Sequence, residues 1–256
     1  MRKMQKVVLI FMGIFSMILA SACGDQDKEA VEKIEKSLKE KYEEEFTVEK
    51  IGGGYGTVTT NTLKAIVSPK SAPEKDFDVE ITKDLDKVWD RYMNVVMSEK
   101  MDFKASEMAK STFGESVWVK TNISSDGLSF PNAELNNQKM DVKEYLKLQS
   151  DISALIDVFV KSDGKIEMEN EAKKLELFAD ELIAFGTKSA NISVYYVDET
   201  VFGNVESEYD AQEERVFKHF SEEGRSYYTT WMEIENSQKN QSIDEIVKNF
   251  SDNQVE

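Results

Sequence analysis

The glycine cluster from Gly52 to Gly56 is the first stretch that could do chemistry, because glycine-rich loops bind phosphate groups through their backbone N–H groups. A dinucleotide-binding fingerprint needs G-x-G-x-x-G between a strand and a helix, and a P-loop needs a following Gly-Lys-Ser/Thr. Neither spacing is present, and the residues from Thr57 to Thr60 are of types common in strands. We therefore predict a turn or bulge at this cluster rather than a phosphate site.

The tetrapeptide Asp163-Gly164-Lys165-Ile166 is the second stretch, since it matches the centre of a calcium-binding loop, where glycine permits a sharp turn. A complete loop would also need oxygen ligands at positions 159 and 161 and a glutamate at position 170. Those positions hold Phe159, Lys161 and Asn170. We therefore predict a simple turn between two elements.

His219 is the only histidine of the chain, so it would have to serve any zinc site or Ser-His-Asp hydrolase. Neither a second histidine nor a G-x-S-x-G nucleophile elbow is present, and His219 falls in a charged segment. We expect a solvated surface residue.

With 49 acidic residues, no carboxylate pair can be singled out for glycoside chemistry. We therefore predict no catalytic residue, no metal site, no cofactor and a protein that is not an enzyme.

Five aromatic residues crowd into two predicted strands: Tyr195, Tyr196, Tyr227, Tyr228 and Trp231. Neighbouring residues of a strand point to opposite faces, so each tyrosine doublet places one ring on each face. Two interpretations follow. Either one face is core and the other is an exposed aromatic binding surface, or helices cover both faces.

The only cysteine, Cys23, follows a segment with the layout of a secretory signal peptide. Basic residues open the chain, an apolar run extends from Val7 to Ala20, and small residues lead to the cysteine. The run is shorter than the roughly 20 residues that a membrane-spanning helix needs. The residues from Leu19 to Cys23 resemble a bacterial lipobox, with Ala20 where leucine is more usual. The resemblance implies cleavage before Cys23 and a diacylglycerol on its sulfur; the alternative is an uncleaved N-terminal anchor.

The balance of charge restricts the possible partners. The chain carries 32 basic and 49 acidic residues, a net charge of −17. Removal of the first 22 residues takes three basic residues away and leaves a net charge of −20. This charge argues against binding to nucleic acid or to an anionic lipid surface. It is compatible with a basic protein partner or a cation, and equally with simple solubility.

Hydrophobic periodicity predicts amphipathic helices alternating with antiparallel strands, an α+β fold with antiparallel sheets packed by helices. The predicted helices cover residues 28–44, 84–110, 141–161, 169–185, a charged segment 208–222 and 242–250. The predicted organisation is one elongated domain or two sub-domains. Its parts are a signal peptide at 1–22, a lipidated tether at 23–27, an α+β unit at 28–123, a linker at 124–140 and a second α+β unit at 141–256.

Three segments of the N-terminal third resemble those of a family of uncharacterised small lipoproteins of Gram-positive bacteria. They are the Tyr-x-x-Glu-Phe-x-Val entry from Tyr42 to Val48 with the following Gly-Gly-Gly-Tyr-Gly, the Pro-Lys-x-x-Pro turn from Pro69 to Pro73, and Phe77-Asp78-Val79-Glu80. The resemblance covers residues 1–82. It implies a lipoprotein on the outer face of the cell membrane and carries over no catalytic residue.

These observations favour a non-enzymatic, lipid-tethered module that binds another protein, such as an immunity-like protein directed at a basic secreted protein. Two alternatives stay open. A solute-binding lipoprotein of a transporter would need a ligand cleft between two lobes, usually with parallel sheets. An envelope enzyme without a recognisable motif would need a pair of carboxylates with well-separated pKa values.

Overall fold

The computed structural model describes residues 25–52, 61–125, 130–149, 151–212 and 215–253. Contacts between Cα atoms divide the chain into two compact units, with the division between Arg91 and Tyr92. Within the described ranges, no helix is long and apolar enough to cross a membrane. Both units combine helices with strands, so the predicted α+β class is confirmed.

The first unit packs helix α1 against a four-stranded antiparallel sheet of order β1-β2-β3-β4. Its elements are α1 (Asp25–Tyr42), β1 (Phe46–Ile51), β2 (Thr62–Pro69), β3 (Phe77–Thr82) and β4 (Val88–Asp90). Every fourth residue of α1 from Ala30 to Tyr42 is buried, since residues at this spacing share one face of a helix. The stripe contacts β1 and β3.

The end of α1 is joined to the last strand of the sheet by a buried carboxylate. The Tyr42 hydroxyl donates to Asp90 Oδ1 over 2.6 Å, and Lys41 Nζ lies 2.8 Å from Asp90 Oδ2. Glu43 then adopts a φ of 57°, a left-handed conformation that ends the helix. The helix predicted over 84–110 is wrong at its start. Residues Val88–Asp90 pair with β3 instead, and the next helix begins at Tyr92.

The second unit is built on a mixed sheet of order β10-β8-β7-β6-β5, to which β9 adds at β8. Its strands are β5 (Val117–Ser125), β6 (Ile152–Lys161), β7 (Ala190–Val197), β8 (Tyr228–Glu235), β9 (Gln238–Lys239) and β10 (Ser251–Asp252). Its helices are α2 (Tyr92–Phe113), α3 (Val142–Leu148), α4 (Met168–Phe185), α5 (Glu199–Asp210), a π-helix (Lys218–Glu222) and α6 (Ile243–Lys248). The strands β6 and β7 are parallel, which corrects the all-antiparallel prediction, because α4 forms a crossover between them.

The helix predicted over 141–161 is wrong in its second half. Asp141 does cap α3, accepting a hydrogen bond from the Lys143 N–H over 2.8 Å, but α3 ends at Leu148. Residues Ile152–Lys161 form β6, whose even-numbered residues from Ile152 to Val160 are all buried. These residues form a strand rather than a helix because they pair with β5 on one side and with β7 on the other.

The division of the chain also differs from the predicted linker at 124–140. Strand β5 continues to Ser125 and pairs with β6 through to Ile152, so the region before the predicted linker belongs to the same sheet as the region after it.

Other predictions are confirmed: Gly186 ends α4, and Ser242 and Glu245 form the capping box of α6. Gly164 adopts a φ of 82° in the predicted turn. Of the glycine cluster, only Gly52 lies within the described residues.

The two faces of the second sheet are covered differently. One face carries buried aliphatic residues such as Ile156, Val158, Ile192 and Val194 beneath α2, α4 and α6. The opposite face is half covered by α5 and the π-helix, which together we call the roof. Three roof side chains, Val201, Val205 and Phe220, pack there together with Val216, which precedes the π-helix. They form one cluster with the sheet residues Phe159, Tyr195 and Val197.

Candidate functional site

The five aromatic residues predicted as a binding surface do not form one. Tyr195 and Tyr196 are each 1% exposed, the first beneath the roof and the second on the helix-covered face. The second interpretation, that both faces are covered, therefore holds at this doublet. Tyr227 and Tyr228 are half-buried, and Tyr227 packs over the turn at Gly164, where an added Cβ would lie 3.5 Å from its ring. Only Trp231, which is 39% exposed, remains available.

Trp231 lies on the part of the sheet beyond the roof. Register places it beside Ser193 of β7. Ser193 pairs with Asp157 of β6, and Asp157 pairs in turn with Lys120 of β5. One step along the strands lies a second row, and the two rows together define what we call the open face: Lys120, Asp157, Ser193 and Trp231, then Asn122, Leu155, Asn191 and Glu233. The exposed members include Leu155 at 47%, Asn122 and Asn191. The open face is therefore a polar surface with two large apolar side chains.

Asp157 marks the border between the roof and the open face. Its Oδ1 accepts a hydrogen bond from the Tyr195 hydroxyl over 3.2 Å, and its Oδ2 accepts one from the Tyr209 hydroxyl over 3.0 Å. Burial raises the pKa of Asp157 from its usual 3.8 to about 6, although the two phenol hydrogen bonds oppose this shift. Burial and the nearby carboxylate also raise the pKa of Tyr195, so its phenol stays a protonated donor.

Aromatic rings hold this carboxyl group in place. Phe159 stacks on Tyr195 with ring centroids 4.7 Å apart, and Trp118 contacts Tyr209 at 5.3 Å. Each carboxylate oxygen of Asp157 accepts a hydrogen bond from a phenol, so Asp157 ties the last turn of α5 to the sheet. Its accessible chemistry is the gain of a proton near pH 6. Perturbed carboxyl groups of this kind are common at functional sites.

The prediction that His219 is a solvated surface residue is wrong. Its side chain is 17% exposed and is not solvated: Nδ1 lies 3.0 Å from Glu223 Oε2, and Nε2 lies 3.2 Å from Glu208 Oε2. Glu208 also binds Arg225 through both of its oxygens. Burial alone would raise the pKa of Glu208, but the hydrogen bonds from Arg225 and His219 outweigh burial and lower it. The network joins α5, the π-helix and the segment before β8.

Glu208 and His219 are 11 residues apart, and Glu208 and Arg225 are 17 apart, so no spacing within one regular helix indicates these two contacts. In the part of the chain that the structure describes, no group of three or more His, Cys, Asp or Glu side chains is arranged to hold a metal ion. Cys23, the predicted lipidation site, lies outside the described residues.

No protein-family model matches the chain, and no curated protein matches it. Among solved structures, a DUF5037 family protein from Ruminococcus gnavus is similar with a TM-score of 0.48 and 19% sequence identity. The match covers 85% of this chain and 97% of that one. A likeness at this level supports no conclusion about function.

Proposed function

We propose that this chain is a lipid-anchored extracytoplasmic protein whose second unit binds a basic protein through the open face. The observation that carries the proposal is the exposure of Trp231 and Leu155 on a sheet surface that the roof leaves uncovered. Neighbouring strands are about 4.8 Å apart, so the two side chains, two strands apart, are separated by roughly 10 Å across the sheet. A tryptophan within a polar surround is typical of interface hot spots, and Leu155 adds apolar area beside it.

The charge of this surface favours a basic partner. Glu233 belongs to the open face, and Glu235 is the next residue of β8 on the same side. The lysine of the open face, Lys120, is already paired with Asp102 over 3.2 Å. A partner with a complementary positive surface associates faster with this negatively charged surface, because the opposite charges attract before contact. A secreted basic protein, bound in the manner of an immunity protein, fits this chemistry and the net charge of the chain.

The anchor follows from the pattern around Cys23, and labelling tests it separately. Native cells expressing the full chain would be grown with an alkyne analogue of palmitate, and the chain would be compared with Cys23→Ala. We expect the unsubstituted chain to carry the label and to sediment with membranes, because two or more acyl chains anchor stably. The variant should lose the label. A labelled variant, or an unlabelled parent chain, would contradict the anchor without bearing on the open face.

Capture from native cells tests the open face. The tagged full chain would be extracted in mild detergent with envelope and secreted proteins, at low and at moderate salt. We expect a basic partner that elutes as salt rises, and loss of at least about tenfold of it in the double variant Trp231→Ala, Leu155→Ala. Leu177→Ala is the matched control, because Leu177 is 58% exposed on α4, which packs on the other face.

Retention of the partner by the double variant would place the interface elsewhere, and absence of any partner at both salt concentrations would contradict a protein-binding role. The double variant Glu233→Gln, Glu235→Gln separates the contribution of charge from that of the apolar side chains. These changes should slow association and weaken its dependence on salt, while leaving dissociation nearly unchanged.

A further inference from the structure

Trp231 and Glu233 present an aromatic ring and a carboxylate side by side on β8. They are two residues apart, so both side chains project from the same face of the sheet, about 6.8 Å apart along the strand. Within the described residues, no hydrogen bond, ion pair or ring contact engages the indole of Trp231 or the carboxylate of Glu233. The open face therefore offers an uncommitted ring beside an uncommitted negative charge.

The surroundings of β8 keep these two side chains available. In the part of the sheet that the structure describes, β9 and β10 pair with the two ends of β8, and neither reaches Trp231. The Asn249 side chain instead donates to the Trp231 carbonyl oxygen over 3.4 Å, and the Glu233 N–H donates to Gln241 Oε1 over 2.9 Å. These contacts use backbone groups, so they leave the indole and the carboxylate free.

The neighbours across the sheet are small or uncharged. Trp231 pairs with Ser193 of β7, whose side chain is too small to cover an indole ring, and Glu233 pairs with the neutral Asn191. Lys120, the lysine of the open face, is three strands away from Trp231 and is already bound in an ion pair. The negative charge of Glu233 is therefore not neutralised by that lysine.

An arginine side chain has the shape and the charge that match this pair. Its guanidinium group is planar and stacks on an aromatic ring, and its positive charge is attracted to the electron-rich face of that ring. Its N–H groups form a fork that can bind a carboxylate beside the ring. A lysine ammonium is a compact, strongly hydrated charge that cannot stack in this way.

We propose that the partner of the open face places an arginine over Trp231, with its guanidinium group directed at Glu233. This inference rests on the proposed function, since it names the side chain through which a basic partner is recognised. Glu233 is partly exposed, so solvent screens its pairing and most of the preference comes from the ring. Positive charge supplied by lysine alone does not make this contact.

Fluorine NMR of the full chain tests the preference. The chain contains three tryptophans, so labelling with 5-fluorotryptophan gives three signals, and the loss of one in Trp231→Phe assigns Trp231. The labelled chain in detergent micelles would be titrated with the amides of N-acetylarginine, N-acetyllysine and N-acetylcitrulline. The lysine amide carries the charge without the planar group, and the citrulline amide carries a planar group without the charge. We expect the arginine amide to bind at Trp231 about two- to fivefold more tightly than either.

Glu233→Gln should weaken binding of the arginine amide by about twofold and leave that of the citrulline amide unchanged. Glu144→Gln is the matched control, because it removes the same charge from an exposed position of α3 outside the open face. It should leave binding of the arginine amide unchanged. Binding of the lysine or citrulline amide as tight as that of the arginine amide would overturn the inference, and so would an unshifted Trp231 signal.

This result is independent of the capture experiment. Preferential binding of the arginine amide at Trp231, with no partner captured from native cells, would contradict the protein-binding role and leave the arginine site standing. A captured basic partner, with no preference for the arginine amide, would overturn only the inference about arginine.

Discussion

Tyr209, in the last turn of α5, donates a hydrogen bond over 3.0 Å to Asp157 of β6, and this contact ties the roof to the sheet beside the open face. The second oxygen of Asp157 accepts from Tyr195. The roof is therefore attached to the sheet through the carboxyl group of Asp157, and burial disfavours the charged form of that group. This arrangement makes the stability of the second unit sensitive to pH.

The pH dependence of stability should change when Asp157 is replaced. Burial raises the pKa of Asp157 to about 6, above its usual 3.8, so the folded state binds this proton more tightly than the unfolded chain does. The contribution to stability is full below about pH 4 and is lost as pH rises to about 6. Asp157→Asn should remove this loss, so its stability relative to the parent chain should increase by about 2 kcal/mol between pH 4 and 7.5. Urea unfolding at both pH values measures the difference.

Tyr209→Phe is the companion variant, since it keeps the ring and removes one donor. The pKa of Asp157 should rise further, because a hydrogen bond to the ionised form is lost. The decline in stability should then extend to higher pH than in the parent chain. Parallel stability curves for the parent chain and Asp157→Asn over this pH range would contradict the assignment.

Side chains of α2 protect the free edge of β5, and their removal should destabilise the second unit. The N–H of Thr121 donates to Asp102, and the N–H of Ile123 donates to Ser98 Oγ over 2.8 Å. Four residues of a helix rise about 6.0 Å and two residues of a strand about 6.8 Å, so the spacings match. Asp102→Ala should cost about 1–2 kcal/mol and speed hydrogen exchange at the Thr121 amide.

Asp102→Asn tests the reason for that loss, because its amide oxygen can still accept from the Thr121 N–H. It should cost less than the alanine variant and preserve slow exchange. Equal effects of the two variants would show that the ion pair between Lys120 and Asp102, rather than the edge hydrogen bond, stabilises this region.

Two glycines offer opposite outcomes for the same substitution. Gly186 ends α4 with a φ of 125°, a conformation that side chains rarely adopt, so Gly186→Ala should cost about 1–3 kcal/mol. Gly203 lies within α5, and an added Cβ there would meet nothing within 4 Å. Gly203→Ala should stabilise by about 0.4–1 kcal/mol. Thermal unfolding of both variants checks the pair, and a stabilising change at Gly186 would contradict the observed conformation.

Removal of a ring from the cluster beneath the roof should be costly. Phe159 is fully buried and contacts Trp118, Tyr195 and Phe220. Phe159→Ala should destabilise by about 3–5 kcal/mol, because the lost burial adds to the cost of a cavity. Leu177→Ala, at an exposed position, should change stability by less than about 0.5 kcal/mol. Similar effects in chemical denaturation would show that the cluster is not a packed core.

Elements with one clear period were predictable. The stripe of α1, the helix α4 with its terminal Gly186, and the capping box of α6 each combine a local pattern with a local stop or start signal. Such signals act within one or two turns of chain, so the sequence contains all the information needed. The signal-like segment before Cys23 is also local, and it stays a prediction because it lies outside the described residues.

The segment of β6 fits two periods at once. Ile152, Leu155, Ile156 and Phe159 have helical spacing, whereas the even-numbered residues from Ile152 to Val160 alternate as in a strand. Pairing with two neighbouring strands decided the outcome, because a central strand satisfies its backbone groups on both sides. The partners of β6 are β5 and β7, which are distant from it in the sequence. A short window of sequence around β6 therefore does not reveal the pairing.

The sequence by itself determined the strong negative charge, the single cysteine that rules out a disulfide within the chain, the α+β class, the C-terminal end of α4 and the start of α6. Only the tertiary structure decided which aromatic rings are buried, why Trp231 is exposed where Tyr195 is not, and that Asp157 and His219 lie among hydrogen-bond partners from other elements. The physical reason is that periodicity specifies which side of an element a residue faces, whereas burial and pKa depend on what packs against that side.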